Sequence, residues 1–529
     1  MATIGVSVAT STVGPSGTPV VAYSNAFFVV QSPWGQPGGI KTCDSFASYL
    51  RQFGGLNGMA AVAAGTTNDT VSTIATDSVV QGYYAVKGFF EEKGPTGPGV
   101  AYVVRVVKAS SGATAGLRTY TDGVGVTTIT SKFSGHFGNA TRVTITNNTT
   151  SATIVVELRV GAITIIKESW KIANAADAAD VSRKSELVTI ALAATGALPS
   201  TAAEGKLNAG TPGTADAYDA ADADLVGTTS AAGARTGLQA FNDIRLGTGR
   251  CAIPGKYSAT TRAGLNVHSA NYYRFAMHGT ATGLTQSTIV ADLSTLSGEN
   301  NGYFWPPVEV ANSNSESAGT LLIDPVGHMM GLWARVEGIY RGPHKSPAGL
   351  QHPLRSVLNV ERQSNGDELV SDSASNTLDD SFINTIRVKG NPAGVVGWGN
   401  NTLATDGRYR QLQSAHTVNV ARLQCILLLE KFVHEPIDPQ GRLFGKVSAE
   451  LEQFLEVIYS VGGLYGTRPD GDLKPTDAYY VVCNSSNNTK VTLAANQLVA
   501  DVILVPTPNA RQIVVNLMVT APGSAVRAV

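Results

Sequence analysis

The chain has 529 residues, a net charge of -1, and charged side chains at only 15% of its positions. At about 150 residues per domain this length points to three or four domains, and the near-zero charge removes the electrostatic case for a nucleic-acid or anionic-membrane partner. Typical soluble domains carry about 25% charged residues, so this surface suits a protein that is covered by copies of itself. The cysteines, Cys43, Cys251, Cys425 and Cys483, lie far apart with no CxxC pair, which supports neither a zinc site nor a disulfide framework and fits a reducing compartment. Cys425 stands in an apolar run and reads as a small core hydrophobe. No basic region followed by an apolar stretch marks a signal peptide, and no apolar run reaches about 18 residues, so no membrane insertion is expected.

Residues 1–24 read as an arm. Ile4, Val6 and Val8 alternate with small residues at the period of a strand, and Gly14-Pro15-Ser16-Gly17 breaks it. A short lone strand cannot bury a face by itself and has to pair elsewhere. Residues 25–110 read as the first part of a middle α/β domain: a buried strand at Phe27–Val30, a helix from Ser45 to Phe53 stopped by Gly54-Gly55, a helix from about Val79 to Glu92, and a strand at Ala101–Val106. Residues 111–234 read as an inserted β-rich outer domain, with strands at Thr141–Thr146, Ile154–Val160 and Ile163–Lys167. An Ala-rich helix is expected over Ala173–Ala193, and a surface loop over Ala209–Ala223. Residues 235–384 return to α/β: a helix led by Leu238–Phe241, a strand at Arg250–Gly255, a strand at Tyr272–His278 and a third strand ending at Trp305-Pro306-Pro307. Strands alternating with helices predict a largely parallel sheet.

Residues 385–529 carry the clearest periodicity. Thr417–His434 is apolar nearly all round and predicts a buried helix. Val447–Ser460 is amphipathic, with Val447, Leu451, Phe454, Leu455 and Ile458 on one stripe, Glu450, Glu452 and Glu456 outside it, and Gly462-Gly463 as the stop. Strands follow at Ala478–Cys483 and Asp501–Val505. Ile513, Val515, Leu517 and Val519 alternate in a final strand.

Nothing in the pattern carries catalysis. Gly247-Thr248-Gly249 is a lone GxG and reads as a turn; there is no P-loop, HExxH helix or GxSxG elbow. His344 and His352, with Asp324 nearby in sequence, lie in a Pro- and Gly-rich stretch that reads as a solvated turn. Asp379-Asp380 is a pair of carboxylates that reads as an exposed loop. Arg335, Arg341, Lys345 and Arg355 cluster together and read as a solvated or interface face. No catalytic, cofactor-binding or metal-binding residue is assigned, and no cofactor is expected.

Several blocks occur in one order: Trp305-Pro306-Pro307, Pro325–Arg335 (PVGHMMGLWAR), Arg341–Gly349 (RGPHKSPAG), Val396–Leu403 (VGWGNNTL) and Val418–Leu423 (VNVARL). Upstream stand the Ser32-Pro33-Trp34-Gly35 turn, the Phe53-Gly54-Gly55 stop, paired Phe89-Phe90 and Tyr102-Val103-Val104-Arg105-Val106. This order resembles the tail sheath proteins of contractile bacteriophages and related contractile injection systems, over about residues 20–108 and 235–520. Lys132–Asn139 looks like the turn that opens the inserted domain in many of them. The sequence departs from the commonest pattern: Trp398-Gly399-Asn400-Asn401-Thr402-Leu403 lacks the arginine usual in that block, and Ala421-Arg422-Leu423 replaces a paired arginine.

The resemblance implies a multi-domain, discontinuous mixed α+β architecture. Its inner α/β domain is formed by both chain ends, and its inserted domains face outward. It implies a structural subunit, not an enzyme, that polymerises helically with itself in six-fold rings around a tail tube. Such a subunit would meet baseplate and tail terminator proteins and contract to drive the tube through a host envelope for genome ejection. Neither direct nucleic-acid contact nor membrane insertion belongs to that role, which places the chain in a virion tail assembled in the host cytoplasm. Strand exchange between subunits would use Ile4, Val6, Val8, Ile513, Val515, Leu517 and Val519, with Ser11–Thr18 and Pro506–Ala510 as hinges. Glu450, Glu452 and Glu456 would face the tube. Three alternatives stay open: the sheath of a bacteriocin-like or extracellular injection particle, another virion shell component, and an α/β small-molecule enzyme.

Overall fold

The computed structural model describes the chain except residues 1–21, 60–70, 74–76, 108–114, 122–125, 135, 193–195, 208–219, 294–295, 313–318, 391, 393, 439, 467–477, 512 and 514–529. Its centre is an eight-stranded sheet. In spatial order the strands are Ile40–Cys43, Ala101–Arg105, Asn25–Val30, Gly249–Ala252, Phe275–His278, Asn301–Trp305, Ile383–Lys389 and Gly394–Gly397. The six inner strands run parallel, and the two outermost are antiparallel to their neighbours.

Strand Asn25–Val30 shows why the sheet is covered on both sides. Successive side chains point to opposite faces. Ala26, Phe28 and Val30 join Val86, Phe89 and Trp333 in one core, while Phe27 and Val29 join Phe241, Leu265 and Cys251 in another. On the first face, helix Asp77–Lys93 packs against helix Val326–Tyr340. Close approach is set by glycine: a Cβ on Gly327 would sit 2.1 Å from the Ala85 carbonyl oxygen, and one on Gly331 2.4 Å from that of Phe89. The glycines of the Pro325–Arg335 block therefore bring two helix backbones together.

The insert has two sheets, ordered Ile163–Ile172, Ala152–Val160, Thr141–Asn147, Ala202–Lys206 and Val188–Ala191, Val126–Ser134, Ala115–Thr121. They enclose a core of their own around Ile129, Val143, Ile154, Val156 and Leu158. Two expectations change here. Lys132–Asn139 does not open the insert, because strand Ala115–Thr121 precedes it; it closes one strand and forms the short helix His136–Ala140. The Ala-rich segment is helical only over Ala175–Lys184, and Val188 and Ile190 then turn inward from a strand. At the far end of the insert, Ala220 and Leu225 pack with Phe27 and Val104 of the central sheet.

Other local readings meet the structure as follows. Ser45 caps helix Phe46–Phe53, its hydroxyl accepting from Ser48 N–H, and Gly54 ends it at a φ of 83°. Leu238–Phe241 forms a 3-10 turn, not an α-helix. Tyr272 and Tyr273 are not strand residues: they end helix Ala259–Asn271, with Tyr273 at a φ of 53°, and the strand begins at Phe275. The buried C-terminal helix is Leu412–Leu429, closed by a 3-10 turn at Glu430–Phe432.

Candidate assembly surface

Four elements form a C-terminal unit: helix Leu412–Leu429, helix Arg442–Ser460, and strands Tyr479–Val482 and Asp501–Leu504, which pair antiparallel. The expected stripe, Val447, Leu451, Phe454, Leu455 and Ile458, is buried, and with Leu443 it meets Ala421, Leu428, Val481 and Cys483. Among the described residues, strand Asp501–Leu504 has only Tyr479–Val482 beside it. Tyr480 and Ile503 are 55% and 58% exposed, large fractions for such side chains in a strand pair.

A groove of about 1130 Å³ lies between helix Leu412–Leu429 and this second strand. Val418, Ala421 and Cys425 line the helix side, and Val502, Leu504 and Pro506 the strand side. Arg408, Arg410, Arg422 and Arg511 surround it.

The unit is fastened to the sheet by a buried charge cluster. Arg250 pairs with Glu337, both wholly out of solvent. Ser24 Oγ donates to Glu337 Oε2 at 2.6 Å, and His416 Nε2 lies 3.1 Å from Glu337 Oε1. The Arg250 guanidinium also lies over Trp333, 4.2 Å from the ring centroid. Burial alone would raise the Glu337 carboxyl, but Arg250 and His416 outweigh it and hold it below the usual carboxylate range. Burial, helped by Arg250, pushes the His416 imidazole down, so it stays neutral. This cluster joins strand Gly249–Ala252, helix Val326–Tyr340, helix Leu412–Leu429 and the root of the N-terminal segment. The root is gripped again where Thr248 N–H donates to Ala22 carbonyl at 3.0 Å.

The sequence-expected site residues divide sharply. Ile4, Val6, Val8, Val515, Leu517 and Val519 lie outside the described residues. Ile513 is described, 83% exposed, and not part of a strand. Glu452 and Glu456 are exposed on helix Arg442–Ser460; Glu450 is half-buried and pairs with Lys431 at 2.8 Å. Glu456 accepts from Tyr479 Oη at 2.7 Å, so it also holds the helix to the strand pair. Pro506–Ala510, read as a hinge, is tied at two points: Thr507 Oγ1 donates to Gly462 carbonyl at 2.7 Å, and Asn509 pairs with Gln411.

The candidates for chemistry resolve into structure. Asp324 is buried and accepts from Val326 N–H at 3.0 Å and Gly255 N–H at 3.2 Å, away from the Tyr340–His352 contact. Burial raises its carboxyl to about 6. Arg335 is not on a solvated face: it is buried and donates to Glu92 at 3.3 Å. Glu92 in turn accepts from the Arg355 and Ser356 amides, pinning that loop to the helix pair. No three His, Cys, Asp or Glu side chains among the described residues are placed to hold a metal ion. No helix among them is long and apolar enough to cross a membrane. The charge cluster escaped sequence reading; its signals were an arginine inside an apolar strand and a histidine inside an apolar helix.

No family model and no curated protein matches the chain by sequence. Solved structures match it in shape. The helical sheath of the anti-feeding prophage in its contracted state has a TM-score of 0.54 at 14% identity, covering 98% of this chain and 99% of its own. The contracted sheath complex of the extracellular contractile injection system PVC has a TM-score of 0.52 at 13% identity, covering 98% of each chain. The sheath tail protein of Listeria innocua has a TM-score of 0.57 at 11% identity, covering 89% of this chain and 90% of its own. From the root of the N-terminal segment to the C-terminal strand pair, this chain has the mixed α+β fold of contractile sheath proteins.

Proposed function

We propose that the chain is the structural subunit of a contractile sheath, which polymerises helically around a tube and drives it through an envelope by contracting. The observation that carries this reading is a sheath fold spanning nearly the whole chain, combined with a C-terminal strand pair left open beside a groove. An open strand edge is a template for another strand, and main-chain pairing across it is insensitive to how the outer surfaces move. The occupant of the groove is the alternating segment Ile4–Val8 of a neighbouring copy. Strand Asp501–Leu504 extends about 3.4 Å per residue, which gives a five-residue partner strand the right reach. Heterologous contacts of this kind do not close on themselves and generate a filament.

Contraction is then a rigid-body change at a bistable interface. A few hundred Å² of apolar surface newly buried per subunit supplies several kcal/mol at about 25 cal/mol per Å². The role is mechanical, not catalytic, and needs no cofactor. The partners are further copies in six-fold rings, a tail tube met by Glu452 and its neighbours, and baseplate and tail terminator proteins. The site of action is a virion tail assembled in the host cytoplasm.

A second reading has specific support: two of the similar sheaths belong to an anti-feeding prophage and an extracellular injection system and cover 98% of this chain. Under it the particle carries no genome, so nuclease-protected DNA in purified particles separates the two.

Negative-stain electron microscopy of the purified full chain tests the function. Hollow striated tubes are expected, and a persistent monomer at high concentration would overturn it. Removal of Met1–Ser11 should abolish the tubes; unchanged tubes would sink the strand exchange.

A further inference from the structure

A cleft of about 890 Å³ lies between the insert and the body, a volume typical of small-molecule sites. One wall belongs to the body: Trp34, Lys41 on edge strand Ile40–Cys43, and Arg51 on helix Phe46–Phe53. The other belongs to the insert: Lys132 on strand Val126–Ser134, with Arg183 and Lys184 at the end of helix Ala175–Lys184. Against these five cations the lining supplies one carboxylate, Glu186. The carboxylates close by are already committed. Glu186 pairs with Arg51 at 2.9 Å, and Asp180, outside the lining, holds Arg183 and Lys184 at 2.8 and 2.5 Å. Glu168 accepts from Ser185 Oγ, Glu186 N–H and Trp170 Nε1. Lys41 and Lys132, one on each wall and both half-buried, form no ion pair among the described residues. Trp34 is 1% exposed, and its indole N–H, a donor only, meets no acceptor.

We propose that this cleft binds a small oligophosphate, whose oxygens are taken by Lys41 and Arg51 of the body and Lys132 of the insert, so that the bound anion ties the two regions together. A single phosphate satisfies one wall, whereas a chain of phosphates spans both. The Arg51–Glu186 pair is exposed on both sides, and such pairs contribute little, so Arg51 is available to a stronger acceptor that it grips with two parallel N–H groups. The rings in the wall are used on one another. Trp34 packs edge-on against Phe137, and Phe137 against Phe133, with centroids 6.2 and 4.9 Å apart. Recognition therefore falls to the phosphates and not to a stacked base. Both walls belong to one chain, so the site stands apart from the assembly reading and is tested on subunits in solution.

The test is isothermal titration calorimetry of the full chain at about 150 mM salt with sodium tripolyphosphate, ATP and citrate. Tripolyphosphate and ATP should bind alike, and citrate about tenfold more weakly. Binding of ATP without tripolyphosphate, or of citrate as tightly as either, would overturn the assignment to a phosphate chain. Lys41→Gln and Lys132→Gln should each raise the Kd for tripolyphosphate about tenfold and the double variant about a hundredfold. Neither lysine makes an ion pair, so thermal melting should show both variants as stable as the parent. Lys167→Gln is the control: Lys167 stands on the insert, paired with Glu157 outside the cleft, and its loss should leave the Kd unchanged. Hydrogen exchange of the parent should slow on both walls when tripolyphosphate is added; protection of one wall alone would overturn the bridging. No binding by the folded parent, or an unchanged Kd in the double variant, would overturn the site.

Discussion

In the insert, four strands from Thr141 to Lys206 and three from Ala115 to Ala191 close over Ile145, Ile154, Val156 and Leu158, all of them buried. Among the described residues of the C-terminal unit two strands form the sheet, and Tyr480, Ile503 and Val505 face outward. The fastenings differ as well. The insert meets the body through apolar rings, Trp34 against Phe137 with centroids 6.2 Å apart, and through an exposed ion pair, Arg51 with Glu186 at 2.9 Å. The C-terminal unit is held through the buried ion pair of Glu337 and Arg250, with the neutral His416 beside it. A region that completes its own core can tolerate change without consequence for its neighbours. A region with an unpaired strand edge still offers main-chain donors and acceptors, and under the proposed assembly a neighbouring copy pairs with them.

The largest effect should come from breaking the charged fastening. Glu337→Gln leaves Arg250 buried with an uncompensated charge, and the expected cost is about 3–5 kcal/mol, read as a lowered urea midpoint by circular dichroism. Replacing both partners, Arg250→Met with Glu337→Leu, should recover most of that loss. If the single variant lay within experimental error of the parent, the fastening would be ornamental and the contrast with the insert would fail.

Leu158→Ala probes the other side of the comparison. Leu158 has no exposed surface, and truncation at such a site costs about 2–5 kcal/mol. That loss should stay local: hydrogen exchange should quicken in the insert strands while tube assembly persists. Loss of tubes from a folded Leu158→Ala protein would show that the insert takes part in the lattice.

A smaller, pH-dependent effect concerns how the charged fastening is seated. Asp324 accepts from Val326 N–H at the start of the helix that carries Glu337, and burial raises its carboxyl to about 6. The folded chain then holds this proton more tightly than the unfolded chain, whose aspartates titrate near 3.9. The stabilisation is fully present below about pH 4 and is lost as pH rises through about 6, up to about 3 kcal/mol in all. Asp324→Asn should remove this slope from a plot of unfolding free energy against pH, and a variant with the parent's slope would assign it elsewhere.

Much of this was legible locally. The start of a helix near Ser45, the continuous apolar run Phe27–Val30 of a buried strand, and the spacing of Val447, Leu451, Phe454 and Ile458 along the buried stripe of a helix were all readable. Where composition and pattern conflicted, composition misled: alanines suggested one helix through Ala193, although Val188 and Ile190 carry the period of a strand. The ordered blocks were readable as a resemblance, but their work is packing, as Gly327 and Gly331 against helix Asp77–Lys93 show. The polar contacts that orient the C-terminal unit had no local signal. Arg250 and Glu337 are 87 residues apart, and Asp379 and Arg511 are 132 apart. Only the rule that buried charge requires a partner hinted that Arg250 had one.

The smallest effect on the isolated chain sharpens the comparison most. Ile503 stands on the open strand pair with its side chain largely in water. Ile503→Ser removes apolar surface that the folded monomer barely uses, so its stability should stay within about 0.5 kcal/mol of the parent. In a lattice where another strand lies beside Asp501–Leu504, the same side chain gains a cross-strand neighbour worth about 0.2–1 kcal/mol, and that term acts at every subunit. Ile163 of the insert is also exposed, and Ile163→Ser is the matched control: it removes the same apolar surface at the edge of a finished sheet. Sedimentation of both variants over a protein concentration series should show Ile503→Ser assembling later than Ile163→Ser at equal monomer stability. Equal thresholds for the two would mean that the strand pair at the C-terminus is no more open to partners than the insert.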